Sequence, residues 1–435
     1  MSSYLSKYLL LFIITVVVIT TSSCKKEYLD PSKALEEQVY TSTAGITGVS
    51  VGLQRIYTLG RASSLYNIVS TNGLVTHEVF LLNQGNLPEA QLSAGGNVVD
   101  GTNTILAGLW TSSNKILYDA NKVLQATSIV SDKGYVSGLI GYTTIFKALS
   151  LGAMAMFWEK VPAGNGSNVG FITSTEGFNK AIASIDSALG IIATTPVSAA
   201  FISNVPAGVD IVNTLQALKA RYSLYINNYT QALAAANSVD LTRKSIFNFE
   251  AANPNPIYDG AGSNFNVYQP TDSTMGLPSG LRPDLADKRV PFYMTLSGSP
   301  AARFLMKGFS SGSTVAIPLY LPGEITLIKA EAYVRQATPD LNNATIELNK
   351  IVTKKPGADP FGVGADLPAI SGVLTAAQLL DQIYLNRCVE LYMSGLKLQD
   401  MRRFARPLTE RTRNLMPYPF RERDNNPNTP TDPVF

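Results

Sequence analysis

Histidine is nearly absent from this chain, since His77 is the only one among 435 residues. A zinc site built from several histidines is therefore excluded, and any Ser-His-Asp triad would depend on this single residue. The sequence also has no Walker-type glycine-rich loop, no zinc-spaced cysteines and no EF-hand loop. We therefore expect no catalytic residues, no metal and no cofactor, and we interpret His77 as an ordinary surface or hydrogen-bonded histidine.

Cysteine is scarce as well, with only Cys24 and Cys388 in the chain. If Cys24 is acylated, Cys388 has no partner within the chain, and a disulfide framework is excluded. Cys388 lies among apolar residues at helical spacing. The pattern predicts a small buried side chain and not a nucleophile.

Charged residues are few, at 15 % of the chain, and the net charge is only +3. So small a net charge does not indicate nucleic-acid binding. Acidic residues are interspersed among the C-terminal arginines, so we interpret this region as a salt-bridged, solvated surface. Glycoside hydrolysis needs only two suitably spaced carboxylates, so an enzyme remains an alternative, although no pair is singled out. The arginines in question are Arg402, Arg403, Arg406, Arg411, Arg413, Arg421 and Arg423.

The chain has one long apolar run, residues 8–19, and it is too short to span a bilayer, which takes about 20 residues. Lys7 precedes the run, and the small residues Thr21-Ser22-Ser23 lead into Cys24. This arrangement is typical of a signal peptide with a lipoprotein processing site. We predict a signal peptide over residues 1–23 and an acylated Cys24 that anchors the protein to the bilayer. An ordinary signal peptide with an incidental cysteine is the alternative.

Apolar residues recur at helical spacing through most of the remaining sequence, which predicts a mainly α-helical fold. In the last helical region, Arg387 and Glu390 are spaced to form an ion pair. Residues 82–104 are rich in Gly, Asn and Gln without a period, and there we predict an extended loop. The predicted helices cover residues 43–59, 105–126, 138–158, 176–192 and 378–404, the last interrupted at Gly395.

Two stretches share a spacing of twelve residues between small side chains, Ala220 with Ala232 and Ala332 with Ala344. Small residues at this spacing predict helix–turn–helix pairs that cross closely, as in tetratricopeptide units. A chance alignment of alanine-rich helices remains the alternative.

Between these stretches, residues 248–322 are crowded with Gly, Pro, Asn, Asp and Ser, and their aromatic residues lack helical spacing. A long irregular segment within a helical protein is usually functional or disordered, and the aromatic content favours function. Short strands are predicted at residues 291–296 and 314–321.

A binding surface for neutral oligomers needs aromatic faces with amides and hydroxyls around them. Trp110 and Trp158 lie on predicted helices, so core packing is the better interpretation for both. Loop residues are better candidates, and they define the predicted ligand-contact set. This set contains the aromatic residues Tyr258, Phe265 and Tyr268, with Asn83, Gln84 and Asn264 as polar companions.

Six short motifs follow one another along the chain. They are residues 24–30, Trp110 with Ala120-Asn121, residues 157–162, residues 321–335, the pattern Gly395-x-Lys397-x-x-Asp400-Met401-x-Arg403, and residues 416–426. This ordered set resembles the SusD/RagB family of nutrient-uptake lipoproteins of Gram-negative outer membranes. Lys397 stands where the family has Arg, and a lysine cannot make the planar two-pronged contact with a carboxylate.

The resemblance implies a mainly α fold of tetratricopeptide-like helix pairs with a loop-rich binding face. It implies one domain over residues 24–435, with a tether at 24–40, a loop-rich insert at about 248–322 and a signature region at about 320–435. It further implies an outer-membrane protein, anchored through Cys24 and facing the exterior, that captures oligosaccharides without transforming them. The implied partner is a SusC-like TonB-dependent transporter. Peptide capture, a lipid-anchored glycoside hydrolase and a helical-repeat scaffold are the alternatives.

Overall fold

Helices dominate the described part of this chain, and its strands are short. The computed structural model describes residues 39–262, 266–298 and 303–434. Cys24, the predicted signal segment and most of the predicted tether lie outside the described residues. The α-helices are α1 (Thr43–Thr58), α2 (Ser64–Val75), α3 (Leu87–Ala94), α4 (Thr104–Ala126), α5 (Lys133–Phe157), α6 (Ser174–Thr194), α7 (Ala199–Ile202), α8 (Ile211–Tyr225), α9 (Tyr229–Asn237), α10 (Pro256–Ala261), α11 (Arg289–Tyr293), α12 (Pro322–Arg335), α13 (Leu341–Val352), α14 (Ala376–Glu390), α15 (Lys397–Arg403) and α16 (Phe420–Asn425).

The strands form antiparallel pairs, and two of these pairs, β1–β5 and β4–β8, join distant parts of the chain. The pair β1–β5 connects the segment after α2 to the loop-rich insert, because it places Leu81 opposite Tyr268 and Val79 opposite Pro270. The strands are β1 (Val79–Leu81), β2 (Lys160–Pro162), β3 (Phe171–Thr173), β4 (Ile246–Phe247), β5 (Tyr268–Pro270), β6 (Met294–Ser297), β7 (Arg303–Met306) and β8 (Ile317–Pro318), paired as β1–β5, β2–β3, β4–β8 and β6–β7.

Helix α5 is the central helix of the main core and packs against α4, α6 and α8. It is also the one described helix that is long and apolar enough to cross a membrane, and 89 % of its most apolar segment is buried within the protein. Its glycines allow the close packing. A Cβ at Gly152 would come within 2.2 Å of the Tyr222 hydroxyl, and one at Gly138 would meet the ring of Phe201 at 2.3 Å.

The two predicted helix pairs are present. Helices α8 and α9 contact each other, as do α12 and α13, and α9 also packs against α12. The alanines that predicted the pairs, Ala220, Ala232, Ala332 and Ala344, are all fully buried at the crossings. The mainly α, tetratricopeptide-like fold predicted from the sequence is therefore confirmed.

The predicted loop at 82–104 is wrong, because it contains α3 and a 3-10 turn at Gly96–Val98. Only Glu89 and Leu92 are buried in α3, so the helix repeats its apolar pattern too few times to be recognised. The predicted strand at 291–296 is wrong in its first half, since α11 runs to Tyr293 and β6 begins at Met294. The predicted strand at 314–321 is too long, since only β8 at Ile317–Pro318 forms there.

Four buried charged side chains join α12, α14 and α15, and we call them the signature ion network: Glu331, Arg387, Asp400 and Arg403. Arg403 donates to both Glu331 oxygens at 2.8 Å and to Asp400 at 2.9 Å. Arg387 donates to the two oxygens of Asp400 at 2.9 and 3.1 Å. These side chains are at most 4 % exposed. Two-pronged contacts of this kind satisfy both carboxylates inside the protein.

The network corrects two predictions. Arg387 does not pair with Glu390, which instead accepts hydrogen bonds from Arg289 at 3.2 Å and Lys354 at 2.5 Å. The C-terminal arginines are not all solvated, since Arg403 belongs to the signature ion network and Arg402 donates to main-chain carbonyls. Helical spacing alone could not show these contacts, because the chosen partners lie on other elements.

Lys397 bonds to main-chain carbonyls and not to a carboxylate. Its ammonium group donates to three main-chain carbonyls, Thr76 at 3.2 Å, Met275 at 2.9 Å and Gly276 at 3.2 Å. The side chain is 4 % exposed, so these carbonyls satisfy a buried charge. Lys397 thereby connects α15 to the turn before β1.

We expect the Arg387→Ala variant to lose about 3–5 kcal/mol of unfolding free energy, because its removal leaves Asp400 buried with one guanidinium partner fewer. Urea unfolding followed by circular dichroism measures the loss. Lys350→Ala is the control, because it removes an exposed pair with Glu347, and we expect it to cost less than about 1 kcal/mol. Equal losses of unfolding free energy in the two variants would contradict the prediction that the signature ion network stabilises the fold more than an exposed ion pair does.

Candidate functional site

The pairing of β1 with β5 brings the loop after β1 to the loop-rich insert. Beyond the strand pair, the carbonyl of Val267 accepts hydrogen bonds from the amides of Leu82 at 2.8 Å and Asn83 at 3.2 Å. The amide of Val267 in turn donates to the carbonyl of Gly260 in α10 at 2.8 Å. Three segments are thus linked into one surface, which we call the loop face: residues 82–86, 256–262 and 266–267.

Asn83 and Gln84 lie in a tight turn on the loop face, and both are exposed. The side-chain oxygen of Asn83 accepts from the amide of Gly85 at 3.0 Å, and its carbonyl accepts from the amide of Asn86 at 3.1 Å. Such side-chain bonds fix the shape of a turn. The turn therefore presents its amide side chains to solvent from a defined backbone.

A buried carboxylate supports this turn from the protein interior. Glu89, whose side chain is 3 % exposed, accepts from Arg61 at 2.5 Å and from the hydroxyl of Tyr66 at 2.9 Å. Arg61 also donates to the side chain of Asn86 at 3.2 Å. Burial raises the pKa of Tyr66 far above its usual range, so its hydroxyl stays a donor. Sequence reasoning missed these residues because Arg61 and Glu89 lie 28 positions apart and share no periodic pattern.

Tyr258 is the aromatic residue that the structure places on the loop face with part of its side chain exposed. The side chain of Asn255 caps α10 by accepting from the amides of Ile257 at 3.0 Å and Tyr258 at 3.1 Å. Gly262 packs directly against the Tyr258 ring, which a Cβ would approach to 2.8 Å. The helix cap and the glycine together hold the ring in place.

The inclusion of Tyr268 among the ligand contacts is wrong for this structure. Its side chain is fully buried, and its hydroxyl shares a hydrogen bond of 3.0 Å with Ser70. The ring also lies 6.4 Å from that of Tyr66. Pairing with β1 turns this side chain into the core, and the sequence held no signal for that pairing. Asn264 and Phe265 lie outside the described residues.

Both tryptophans are packing residues, as predicted. Trp110 is 4 % exposed and Trp158 is fully buried, and their rings meet edge to face at 4.9 Å. Their indole N–H groups donate to the C-terminal segment, Trp110 to Glu422 at 3.0 Å and Trp158 to the carbonyl of Pro417 at 2.9 Å. They therefore fix the C-terminal segment against α4 and the end of α5.

His77 lies at the surface and Cys388 in the core, as their sequence patterns predicted. His77 is exposed and adopts a positive φ of 61° in the turn before β1. Cys388 is buried, and burial raises the pKa of its thiol to about 12, which keeps it protonated and unreactive at neutral pH. Within the described residues, no group of three or more His, Cys, Asp or Glu side chains is arranged to hold a metal ion.

The architecture is a helical fold with tetratricopeptide-like pairs and an irregular face, and solved structures of other proteins share this fold. A SusD-like protein from Bacteroides fragilis has a TM-score of 0.69 at 11 % identity, covering 92 % of this chain and 99 % of that chain. A SusD superfamily protein from Parabacteroides distasonis has a TM-score of 0.68 at 14 % identity, covering 93 % and 100 %. A SusD-like carbohydrate binding protein from B. fragilis has a TM-score of 0.66 at 13 % identity, covering 84 % and 87 %.

No family model and no curated protein matches the sequence itself. The fold of this chain is the SusD-like fold, which confirms the resemblance seen in its ordered motifs.

We expect Tyr268→Ala to lower the unfolding free energy by about 3–5 kcal/mol, because it empties a fully buried ring site. Tyr268→Phe keeps the ring and removes only the hydrogen bond to Ser70, at a cost of about 1 kcal/mol. Tyr258→Ala, at a half-buried position, should cost less than Tyr268→Ala. Urea unfolding of the three variants measures this order, and a smaller loss for Tyr268→Ala than for Tyr258→Ala would contradict the assignment of Tyr268 to the core.

Proposed function

We propose that this protein captures oligosaccharides on its loop face and does not transform them. The observation that carries the proposal is the shared fold with the SusD-like carbohydrate binding protein from B. fragilis, at a TM-score of 0.66 over 84 % of this chain. The motif order of the sequence supports the same class independently of the fold.

The chemistry of the loop face suits a neutral sugar chain. A half-exposed ring such as Tyr258 offers an apolar face and a polar hydroxyl, and the exposed Asn83 and Gln84 offer amides nearby in the linked turn. The turn is fixed by its own hydrogen bonds and by the Arg61–Glu89 pair beneath it. Because the turn is already ordered, little conformational entropy is lost when a ligand binds. The loss of conformational entropy is one of the main terms that oppose binding.

Anchoring and delivery complete the proposal. The signal-like segment and Cys24 support a lipid anchor in the outer membrane, with the binding face toward the cell exterior. The ordered motifs support transfer of the captured oligomer to a SusC-like TonB-dependent transporter. Capture of peptides is the second form of the same role, and the 66 % exposed Leu87, next to the turn of Asn83 and Gln84, favours it by offering an apolar contact.

We expect the purified protein to bind at least one hexasaccharide from a panel of maltohexaose, cellohexaose, xylohexaose and mannohexaose. Tyr258→Ala should weaken that binding about tenfold, the change expected for the loss of about 1.4 kcal/mol of ring contact. Isothermal titration calorimetry measures the affinities. Tyr229→Ala, a half-buried tyrosine on α9 outside the loop face, is the matched control and should leave the affinity unchanged.

Mass analysis of every ligand after incubation separates the alternatives. Intact hexasaccharides support capture, whereas shortened ones would overturn the non-enzymatic role. Binding only to peptides of a parallel panel would select the second form of the proposal. Purification from detergent-solubilised membranes tests delivery, and recovery with periplasmic proteins alone would contradict a transporter partner.

A further inference from the structure

A second polar concavity lies away from the segments of the loop face. It is an open groove of about 460 Å³ between one side of α4, the loop at 162–169 and the C-terminal segment at 419–426. We call it the amide groove. Its volume falls within the range of ordinary small-molecule sites, about 300–1,000 Å³.

Asparagine dominates the lining of the amide groove. Five asparagine side chains come from three separate parts of the chain, so the enrichment does not follow from one local low-complexity stretch. Each carboxamide both donates and accepts hydrogen bonds, as neighbouring hydroxyls of a sugar do. The five are Asn114, Asn165, Asn168, Asn425 and Asn426.

One aromatic ring borders the groove. Tyr118 is 37 % exposed on α4, which is unusual for a tyrosine of a core-packed helix in this protein. The ammonium groups of Lys115 and Lys122 lie 5.9 and 5.5 Å from the centre of its ring. Cation–π contacts of this length favour a fixed ring position. An exposed ring beside several amides is the combination that sugar binding requires.

The groove walls are held by hydrogen bonds that do not depend on a ligand. Asn121 donates to the side chain of Asn165 at 3.0 Å, and Asn428 donates to the carbonyl of Asn168 at 2.7 Å. Asn426 donates to the carbonyl of Val169 at 3.0 Å. The loop at 162–169 is therefore fastened to α4 on one side and to the C-terminal segment on the other, which gives a pre-formed site.

The charge around the groove does not favour a nucleic acid or a strongly anionic ligand. Lys115 is paired with Asp119 at 2.6 Å, and Glu422 accepts from Trp110 at 3.0 Å and from Asn426 at 2.8 Å. The lining also includes the charged side chains of Arg421 and Glu422, but most of its polar side chains are neutral amides and hydroxyls. An uncharged, hydroxyl-rich chain is the ligand class that matches them.

We propose that the amide groove is a second oligosaccharide-binding site, in which a pyranose ring lies against Tyr118 and its hydroxyl groups bond to the asparagine amides. The proposal rests on the proposed function, because it takes the same ligand class. It adds a site whose residues come from α4, the loop at 162–169 and the C-terminal segment and not from the loop face. Two separate sites let one protein hold a long chain at two points, which raises its overall affinity through effective concentration.

Calorimetric titration of the purified full chain with the four hexasaccharides, each used singly, tests the proposal. We expect the unmodified protein to bind with two sites per chain. Tyr118→Ala should remove or weaken one site at least tenfold, while Tyr258→Ala should affect the other. Asn168→Gly is a second test, because the residue has a φ of 55° that glycine adopts without strain, so the amide is lost while the backbone is kept.

Tyr333→Ala, on α12 outside both sites, is the matched control and should leave both sites intact. Circular dichroism melting confirms that each variant is folded before its titration is interpreted. One site per chain that responds to Tyr258→Ala and not to Tyr118→Ala or Asn168→Gly would overturn the second site and leave the proposed function standing. Failure of the unmodified protein to bind any hexasaccharide would overturn both.

Discussion

The burial of Asp400 and Glu331 constrains the rest of the C-terminal half. A carboxylate removed from water is costly unless charged donors surround it, and here those donors are Arg387 and Arg403 from different elements. Because guanidinium–carboxylate contacts are planar and two-pronged, α12, α14 and α15 must meet at one relative position for all of them to form. The Gly395-to-Arg403 motif is thus explained by packing. It marks where charged side chains must meet, and it contains no group that needs to contact a ligand.

The same region holds the base of the loop face. Lys397 bonds to the carbonyl of Thr76, the hydroxyl of Tyr392 donates to the carbonyl of Glu78 at 2.8 Å, and the amide of Met393 donates to the Glu78 side chain at 3.2 Å. Burial raises the pKa of Glu78, and the charge of Lys397 and the hydrogen bond from Met393 partly offset this effect. These bonds fix the turn that leads into β1, and β1 positions the exposed turn of Asn83. Through Lys397, a motif more than 300 residues away therefore helps to shape the candidate binding surface.

The sequence was informative where structure is local and uninformative where it is not. Helices α4, α5 and α6 repeat their apolar period over many turns, so their existence and approximate ends could be predicted. Helix α3 could not, because its buried residues are too few to define a period. The predictions for Tyr268 and Arg387 were wrong for one shared reason. Their partners, Ser70 and Asp400, are set by tertiary packing, and a single sequence contains no direct record of which distant residues meet. Asn83 and Gln84 lie before α3, in the part of the predicted loop that is irregular in the structure.

Several paired charges of this protein lie in its interior, whereas neutral amides prevail at the two proposed sites. This separation bears on the proposed ligand class. Arg221 with Glu324, Arg289 with Asp287, and the signature ion network all place charges in the interior, where each is matched by a specific partner. At the loop face and the amide groove, the polar groups are mainly amides, held by turns and main-chain bonds. Neutral amides discriminate by the geometry of hydrogen bonds and remain effective over a wide range of salt, unlike surface charges. The proposed ligand class, a chain with many hydroxyls and little charge, matches such surfaces. The buried charges are thus committed to packing, and the two surfaces that we propose as binding sites are formed mainly by neutral amides.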